Sequence, residues 1–214
     1  QRAHAVRLLG ATPPQNAPYH LAPTDSGVVI KTSTIGTSNL SAMLSAGIVA
    51  FDANFNLVSV YVENLTFRAY DDPHVTGLNL WQAVGAYLDQ VQVDTNIDPD
   101  SATQPTIATF GILMPNLHNR GLSEWGTVWV SGFFHGVDFS EHFTVRNGVI
   151  LRCSAALVAE GGYHLNVGNF NLYHCRQWLT TSQVSKNGAG DIIVNFNLDL
   201  EYDVPGSWAA TAED

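Results

Sequence analysis

The sequence predicts an all-β fold, an antiparallel β-sandwich of jelly-roll-like, Greek-key type with about ten strands and one short helix or helical loop. The first observation is the run 194–204, in which apolar and polar residues alternate without a break, as in a strand with one buried face. The second is that similar runs recur along the chain between short segments rich in Gly, Asn and Pro. The third is Asn147-Gly148, which lies between two such runs and is a strong hairpin signal.

The candidate strands share this alternation of apolar and polar residues. In chain order they are 5–9, 28–35, 47–51, 57–67, 106–114, 127–134, 141–146, 149–158, 165–172 and 192–204. A loop rich in Pro and Asn, 12–25, separates the first two, and segments containing Gly separate most of the later ones. We find no internal repeat and no linker in the sequence, so residues 1–214 are predicted to form a single domain.

One segment, 76–91, departs from the strand pattern. Its apolar residues Trp81, Val84, Leu88 and Val91 recur at three- and four-residue intervals, which is the spacing of one face of a helix. Glycines within the segment disfavour a helix. The interval still predicts one short helix here.

Composition limits the classes of function. The chain has 214 residues and a formal net charge of −10, with only nine basic residues, so it would repel nucleic acid and anionic membranes. No run reaches ~18 uninterrupted apolar residues, so no membrane insertion is expected. Cys153 and Cys175 are too few for a disulfide framework, and free buried thiols are favoured over a bridge.

Catalytic and metal-binding patterns are missing from the sequence. There is no nucleophile elbow, no phosphate-binding glycine loop, and no pair of histidines at metal-binding spacing. Residues 94–100 place oxygen ligands as an EF-hand loop does, but Pro99 and Pro105 stand where that loop needs Gly and Glu. We therefore predict no enzyme activity, no cofactor and no metal site.

The tryptophans, together with Tyr19, Tyr87 and Tyr163, are candidate anchors for a partner, because Trp and Tyr dominate interface hot spots. Trp129 lies within an alternating run and is predicted to pack in the core. Trp125 and Trp208 lie in loop-like and terminal sequence and are predicted at an interface. This distribution favours a subunit or partner contact over a catalytic cleft.

Four segments in the same order resemble the head, or knob, of adenovirus fibre proteins. They are the strand and polar turn at 28–42, the run Ile48 to Val58 with its Phe-Asp-Ala-Asn, the Gly-Ile-Leu-Met-Pro-Asn stretch within 108–117, and the closing strand 195–204. The shaft-junction Trp of that family is absent from 1–10, and a tail, 205–214, extends past the last strand. These departures suggest a virus distant from the human types, such as an avian adenovirus.

The resemblance implies a homotrimer at the tip of a capsid spike, displayed on the virion surface, that binds a host-cell receptor. In several family members the loop after the first strand binds the coxsackie and adenovirus receptor, and here the Ser-Pro pair of that loop is replaced by Asn16-Ala17. The receptor-binding residues carried over from the resemblance are Pro13, Pro14, Gln15, Asn16, Ala17, Pro18, Tyr19 and His20.

Two other functions remain open at this point. One is a carbohydrate-binding jelly-roll module that takes sialic acid or another glycan, favoured by the strand pattern and the aromatic residues in loops. The other is a hydrolase built on a β-sandwich, supported only by scattered histidines and carboxylates.

Overall fold

The computed structural model describes residues 4–11, 28–31, 41–45, 58–69, 75–80, 83, 85–95, 109–114, 123–139, 143–160, 165–173, 175–182 and 197–201. Within these ranges the chain forms fourteen strands and no helix. The strands are β1 (His4–Leu9), β2 (Val28–Lys31), β3 (Ser41–Ser45), β4 (Val58–Arg68), β5 (Val75–Asn79), β6 (Gly85–Asp94), β7 (Phe110–Leu113), β8 (Ser123–Ser131), β9 (His135–Phe139), β10 (Phe143–Leu151), β11 (Ala155–Glu160), β12 (Leu165–Tyr173), β13 (Gln177–Ser182) and β14 (Asn197–Glu201).

The strands form two parallel sheets, which we call sheet A and sheet B. Sheet A has the order β1-β4-β6-β8-β10-β12-β14, with β2 beside the second half of β4, and sheet B has the order β13-β11-β9-β7-β5-β3. From β3 onward, consecutive strands alternate between the sheets, and each pairs with the strand two places along the chain. The described chain is therefore a β-solenoid in which each coil adds one strand to each sheet. The prediction of an antiparallel sandwich was wrong.

The coils from β8 to β13 recur at nearly equal intervals in the sequence, contrary to our prediction of no internal repeat. Ser123, Phe143 and Leu165 stack on one another in sheet A at intervals of 20 and 22 residues. In sheet B, His135, Ala155 and Gln177 stack at the same two intervals. A repeat of this length is typical of solenoids, in which each unit buries its apolar side chains only by stacking on the next.

Asn147-Gly148 lies inside β10 and forms no hairpin turn. Asn147 stacks on Asn169 of β12, and its amide oxygen accepts a hydrogen bond of 3.1 Å from the Asn169 amide. Gly148 is buried within the same strand. The asparagine is favoured here by a side-chain ladder between coils rather than by a turn.

The helix expected over 76–91 is absent from the described residues, which form β5 and β6 instead. The three-residue spacing of Leu88 and Val91 has a different cause. Between them Gln90 adopts a left-handed backbone with φ of 51°, which resets the alternation so that both side chains are buried. Asn64, with φ of 57°, does the same in β4, the neighbouring strand.

The two sheets approach each other along a row of small residues in sheet B. A Cβ added to Gly77, Gly111 or Gly136 would lie 2.2, 2.3 or 2.7 Å from a methyl carbon of a β-branched residue in sheet A. Those residues, stacked in register, are Val93, Val130 and Ile150. The three glycines therefore leave room for the valine and isoleucine side chains, and the two sheets pack closely along this row.

A buried ion pair links β4 and β6. Arg68 and Asp94 are register partners, 3% and 0% exposed, joined by Nε–Oδ1 and Nη2–Oδ2 hydrogen bonds of 2.6 and 3.0 Å. Gln92 donates a further hydrogen bond of 2.6 Å to Asp94 Oδ2. Because two charges removed from water need such partners, this cluster fixes the register of the two strands.

The tryptophans also differ from expectation. Trp125, expected at an interface, is 1% exposed in the core, whereas Trp129, expected in the core, is only half-buried. The residues before Trp125 begin β8 and do not form a loop, so Trp125 occupies an inward position beside Leu88 and Val145. Trp208 lies outside the described residues.

Candidate functional site

An open cleft of about 190 Å³ lies on the outer face of sheet A. Polar side chains from five adjacent strands, β1, β4, β6, β8 and β10, meet there. The inward neighbours of these side chains belong to the core, which holds the strands in a fixed register. The cleft is lined by Arg7, Tyr61, Val62, Glu63, Tyr87, Leu88, Asp89, Glu124, Gly126 and Arg146.

Two stacked tyrosines form the centre of the cleft. Tyr61 and Tyr87 are register partners, and their rings are nearly parallel, with centroids 4.5 Å apart. Arg7 places its guanidinium carbon 5.8 Å from the centre of the Tyr61 ring, within cation–π range. Burial, together with the charges of Tyr61 and Glu124 and a hydrogen bond with Tyr61, raises the pKa of Tyr87. Tyr87 therefore stays protonated and presents a phenol group at neutral pH.

An ion pair closes the other end of the cleft. Arg146 of β10 contacts Glu124 of β8 through Nη2 and Oε1, and both side chains are exposed, by 67% and 41%. Arg146 lies between Gly126 and Gly168, the corresponding positions of the two neighbouring strands. With no side chain on either side, the guanidinium has room to reach diagonally to Glu124.

Asp89 is held in place by backbone amides. Its Oδ1 accepts hydrogen bonds of 3.1 Å from the Gln90 amide and 3.0 Å from the Thr127 amide. A Cβ added to Gly126 would lie 2.0 Å from this oxygen, so the carboxylate occupies the space that the glycine leaves open. The left-handed backbone conformation of Gln90 directs its amide N–H toward the Asp89 carboxylate.

The cleft offers hydrogen-bonding groups of both charges, with one more carboxylate than guanidinium group. Its carboxylates are Glu63, Asp89 and Glu124, its cations are Arg7 and Arg146, and the phenols of Tyr61 and Tyr87 lie between them. Among the described residues, no three His, Cys, Asp or Glu side chains are arranged to hold a metal ion. Within the same ranges, no helix has the length and hydrophobicity needed to cross a membrane.

The receptor-binding residues inferred from the resemblance, 13–20, lie outside the described part of the chain. Among the cleft residues, Tyr87 is also one of the candidate anchors that the sequence offers. Tyr61 and Glu63 were noted only as the polar side of an alternating run. The signal available in the sequence was the set of polar residues on the outer side of several strands. These residues indicate a site only when the strands are known to stack in parallel.

Comparison of the chain with protein-family models, curated proteins and solved structures finds no match.

Proposed function

We propose that this protein is a non-enzymatic attachment module whose outer cleft binds a neutral, hydroxyl-rich glycan. The observation that carries the proposal is the row of phenol, carboxylate and guanidinium groups across five adjacent strands of one rigid sheet. Groups fixed on stacked strands keep their spacing without a ligand, so little ordering is required when one binds.

A glycan matches the chemistry of the cleft. Each sugar hydroxyl both donates and accepts hydrogen bonds, and the cleft supplies acceptors on Asp89 and Glu63, donors on Arg7, and phenols that do both. The rings of Tyr61 and Tyr87 stack on each other, so their edges and hydroxyls are better placed than their faces to meet a ligand. Recognition would therefore depend on hydrogen bonds more than on apolar stacking.

The charge balance favours a neutral sugar. Three carboxylates and two guanidinium groups leave the cleft with an excess of negative charge, and the whole chain carries −10. A sialic acid carboxylate or a sulfated sugar would be repelled by this field. A neutral glycan meets no such cost.

The size of the cleft implies weak individual binding. Pockets for drug-sized ligands usually enclose about 300–1,000 Å³, so an open cleft of about 190 Å³ takes only a small part of a glycan. We expect a Kd on the order of 1 mM, equivalent to about −4 kcal/mol. Attachment would then depend on several copies acting together.

Two of the three cleft carboxylates are arranged to bind rather than to break a glycosidic bond, which leaves Glu63 alone where a glycosidase needs a pair. A general acid must deliver a proton to the leaving oxygen. Glu124 is engaged by Arg146, and Asp89 accepts two backbone hydrogen bonds, so neither is free for that step. A role in holding ligand hydroxyls needs no change in these contacts.

The resemblance to adenovirus fibre heads is limited to short sequence segments, because the parallel solenoid differs from the antiparallel sandwich that was predicted with it. Display on a virion, a homotrimer, and binding of the coxsackie and adenovirus receptor through residues 13–20 stay predictions. The glycan proposal depends on the described cleft alone and is tested separately.

The proposal is tested by titrating isotope-labelled protein with lactose, N-acetyllactosamine and 3′-sialyllactose and following amide chemical shifts by NMR. We expect the neutral sugars to shift amides of Tyr87, Asp89 and Thr127, with weak or no response to the sialylated sugar. Gly126→Ala displaces the Asp89 carboxylate from the two backbone amides that hold it. The substitution should weaken binding about tenfold, equivalent to about 1.4 kcal/mol.

The matched control is Trp178→Ala, which removes an exposed aromatic residue from β13 in the other sheet and should leave binding unchanged. Shifts confined to surfaces outside the cleft, or binding of the sialylated sugar alone, would contradict the neutral-glycan proposal. New reducing ends released from an oligosaccharide would contradict the non-enzymatic role.

A further inference from the structure

The polar surface of the cleft continues past its ion pair as far as β12. Thr127 of β8, Asn147 of β10 and Asn169 of β12 stack in register, and we call these three residues the outer polar row. Thr127 is half-buried, whereas Asn147 and Asn169 are exposed. The row meets the cleft at Thr127, whose backbone amide donates a hydrogen bond of 3.0 Å to Asp89. Polar groups therefore extend across four adjacent strands, from Asp89 in β6 to Asn169 in β12.

The outer polar row has hydrogen-bonding capacity left for a ligand. The Asn147 amide oxygen accepts a hydrogen bond of 3.1 Å from the Asn169 amide nitrogen. This contact uses one polar atom of each side chain. The Asn147 amide nitrogen and the Asn169 amide oxygen have no partner among the described residues, so the row presents a donor and an acceptor on neighbouring strands. A sugar hydroxyl, which both donates and accepts, fits either group.

The surface between the cleft and the outer polar row is formed mainly by backbone. Gly126 and Gly168 immediately precede two residues of the row. A Cβ added to Gly168 would lie 2.5 Å from the backbone carbonyl oxygen of Arg146, so this position does not accept a side chain. Arg146 itself lies between the two glycines, and its guanidinium contacts Glu124 in the cleft. A ligand can therefore extend from the cleft to the row without meeting a bulky side chain of these strands.

The distance across the strands sets the length of a ligand that contacts both parts. Neighbouring strands of a sheet are about 4.8 Å apart, so Tyr87 in β6 and Asn169 in β12 are separated by three strand steps, or about 14 Å. One pyranose of an extended glycan is about as long as one step. A disaccharide held against Tyr87 therefore does not reach Asn169, whereas a linear tetrasaccharide does.

We infer that the ligand is a linear glycan of at least tetrasaccharide length that lies across the strands, with one part in the cleft and the next part on the outer polar row. This inference rests on the proposed binding of neutral glycans by the cleft. A second contact on the same ligand forms at high effective concentration, so it raises affinity without any change in the cleft. The protein would then select glycans by length as well as by charge.

The inference is tested by NMR titration of isotope-labelled full chain with N-acetyllactosamine, its linear dimer and its linear trimer, which repeat one neutral disaccharide. We expect the Kd to fall at least tenfold from the disaccharide to the dimer. The side-chain amide signals of Asn147 and Asn169 should shift with the dimer and trimer and not with the disaccharide. Asn169→Ala should remove the gain with length and leave the Kd for the disaccharide unchanged.

Two further variants separate a binding role from a structural one. Thr127→Val removes a hydroxyl from the row but keeps the backbone amide that holds Asp89, so it should also reduce the gain with length and not the affinity for the disaccharide. Trp178→Ala, in the other sheet, is the control and should preserve both.

The outcomes distinguish this inference from the proposed function on which it rests. Binding of all three sugars with equal Kd, or an equal gain with length in wild type and Asn169→Ala, would overturn the inference and leave glycan binding by the cleft intact. Binding of none of the three sugars would overturn both.

Discussion

Adding one methyl group at Gly111 tests the contact between the two sheets. A Cβ at this position would lie 2.3 Å from a Val130 methyl and 2.6 Å from the backbone carbonyl oxygen of Gly136 in the next strand. The second contact is with backbone, so rotation of a side chain cannot relieve it. Overpacking of this kind costs about 1–3 kcal/mol. Without the clash, the same change would stabilise the protein by about 0.4–1 kcal/mol, because alanine restricts the unfolded chain. The sign of the effect therefore reports on the packing.

The assay is urea unfolding of Gly111→Ala beside wild type, followed by circular dichroism and Trp fluorescence. We expect the free energy of unfolding to fall by about 1–3 kcal/mol with an unchanged denaturant slope. Gly126→Ala is the matched control, because the atoms nearest its new methyl group belong to the movable carboxylate of Asp89, and its stability should fall by less than that of Gly111→Ala. A Gly111→Ala protein as stable as wild type, or more stable, would refute the packing of Gly111 against Val130.

Three further outcomes are expected. Asp94→Ala leaves Arg68 buried without its carboxylate and should lower the free energy of unfolding by about 3–5 kcal/mol. The double variant Arg68→Met/Asp94→Leu should recover most of this loss in urea unfolding. A double variant as unstable as the sum of its two single variants would contradict the prediction. Cys153 and Cys175 are both buried and free, and burial raises the pKa of the Cys153 thiol. A chromogenic aromatic disulfide should therefore detect two thiols only after unfolding. Immediate reaction in the native state, or none in denaturant, would be inconsistent with two buried thiols. Burial lowers the pKa of His135 below 6.5, so the unfolded chain takes up a proton that the folded chain does not. Stability should therefore fall as pH drops from 6.5 toward the folded-state pKa. His135→Phe should flatten this part of the plot of stability against pH, and an identical slope in both proteins would exclude His135 as its source.

The strand content of this protein could be predicted from its sequence, because alternation of apolar and polar residues reports directly on a sheet with one buried face. Runs such as Val58 to Val62 indicate strands whatever their partners are. Alternation does not say whether a neighbouring strand is parallel. That depends on whether consecutive strands pair with each other or lie in different sheets, and the antiparallel prediction assumed the first.

Two local features misled the interpretation for identifiable physical reasons. Asn147-Gly148 has the composition of a hairpin turn, but Asn147 forms a ladder with Asn169, which is invisible until the two strands are stacked. The left-handed backbone of Gln90 produced a helical spacing inside a strand. The intervals of 20 and 22 residues around β10 were a signal that could have corrected the hairpin prediction, whereas β6 lies 26 and 37 residues from its neighbours and offered no such signal.

The candidate site could not be predicted in the same way. Arg7, Tyr61, Tyr87, Glu124 and Arg146 are far apart in the chain, and each is an ordinary polar residue of its own strand. Their proximity follows only from parallel register, so the wrong strand direction concealed the cleft. Gly126 and Gly168, which give Arg146 its room, have no separate meaning in the sequence.

The most direct test of the account is the set of inter-strand nuclear Overhauser contacts around β10 in selectively labelled, protonated protein. The parallel solenoid predicts backbone contacts between residues 22 positions apart, Val145 with Val167 and Asn147 with Asn169, whose Cα atoms are about 4.8 Å apart. Thr144 and Leu151, at opposite ends of one strand, should show none. A strong contact between the Hα atoms of Thr144 and Leu151 would place a hairpin at Asn147-Gly148 and contradict the parallel architecture.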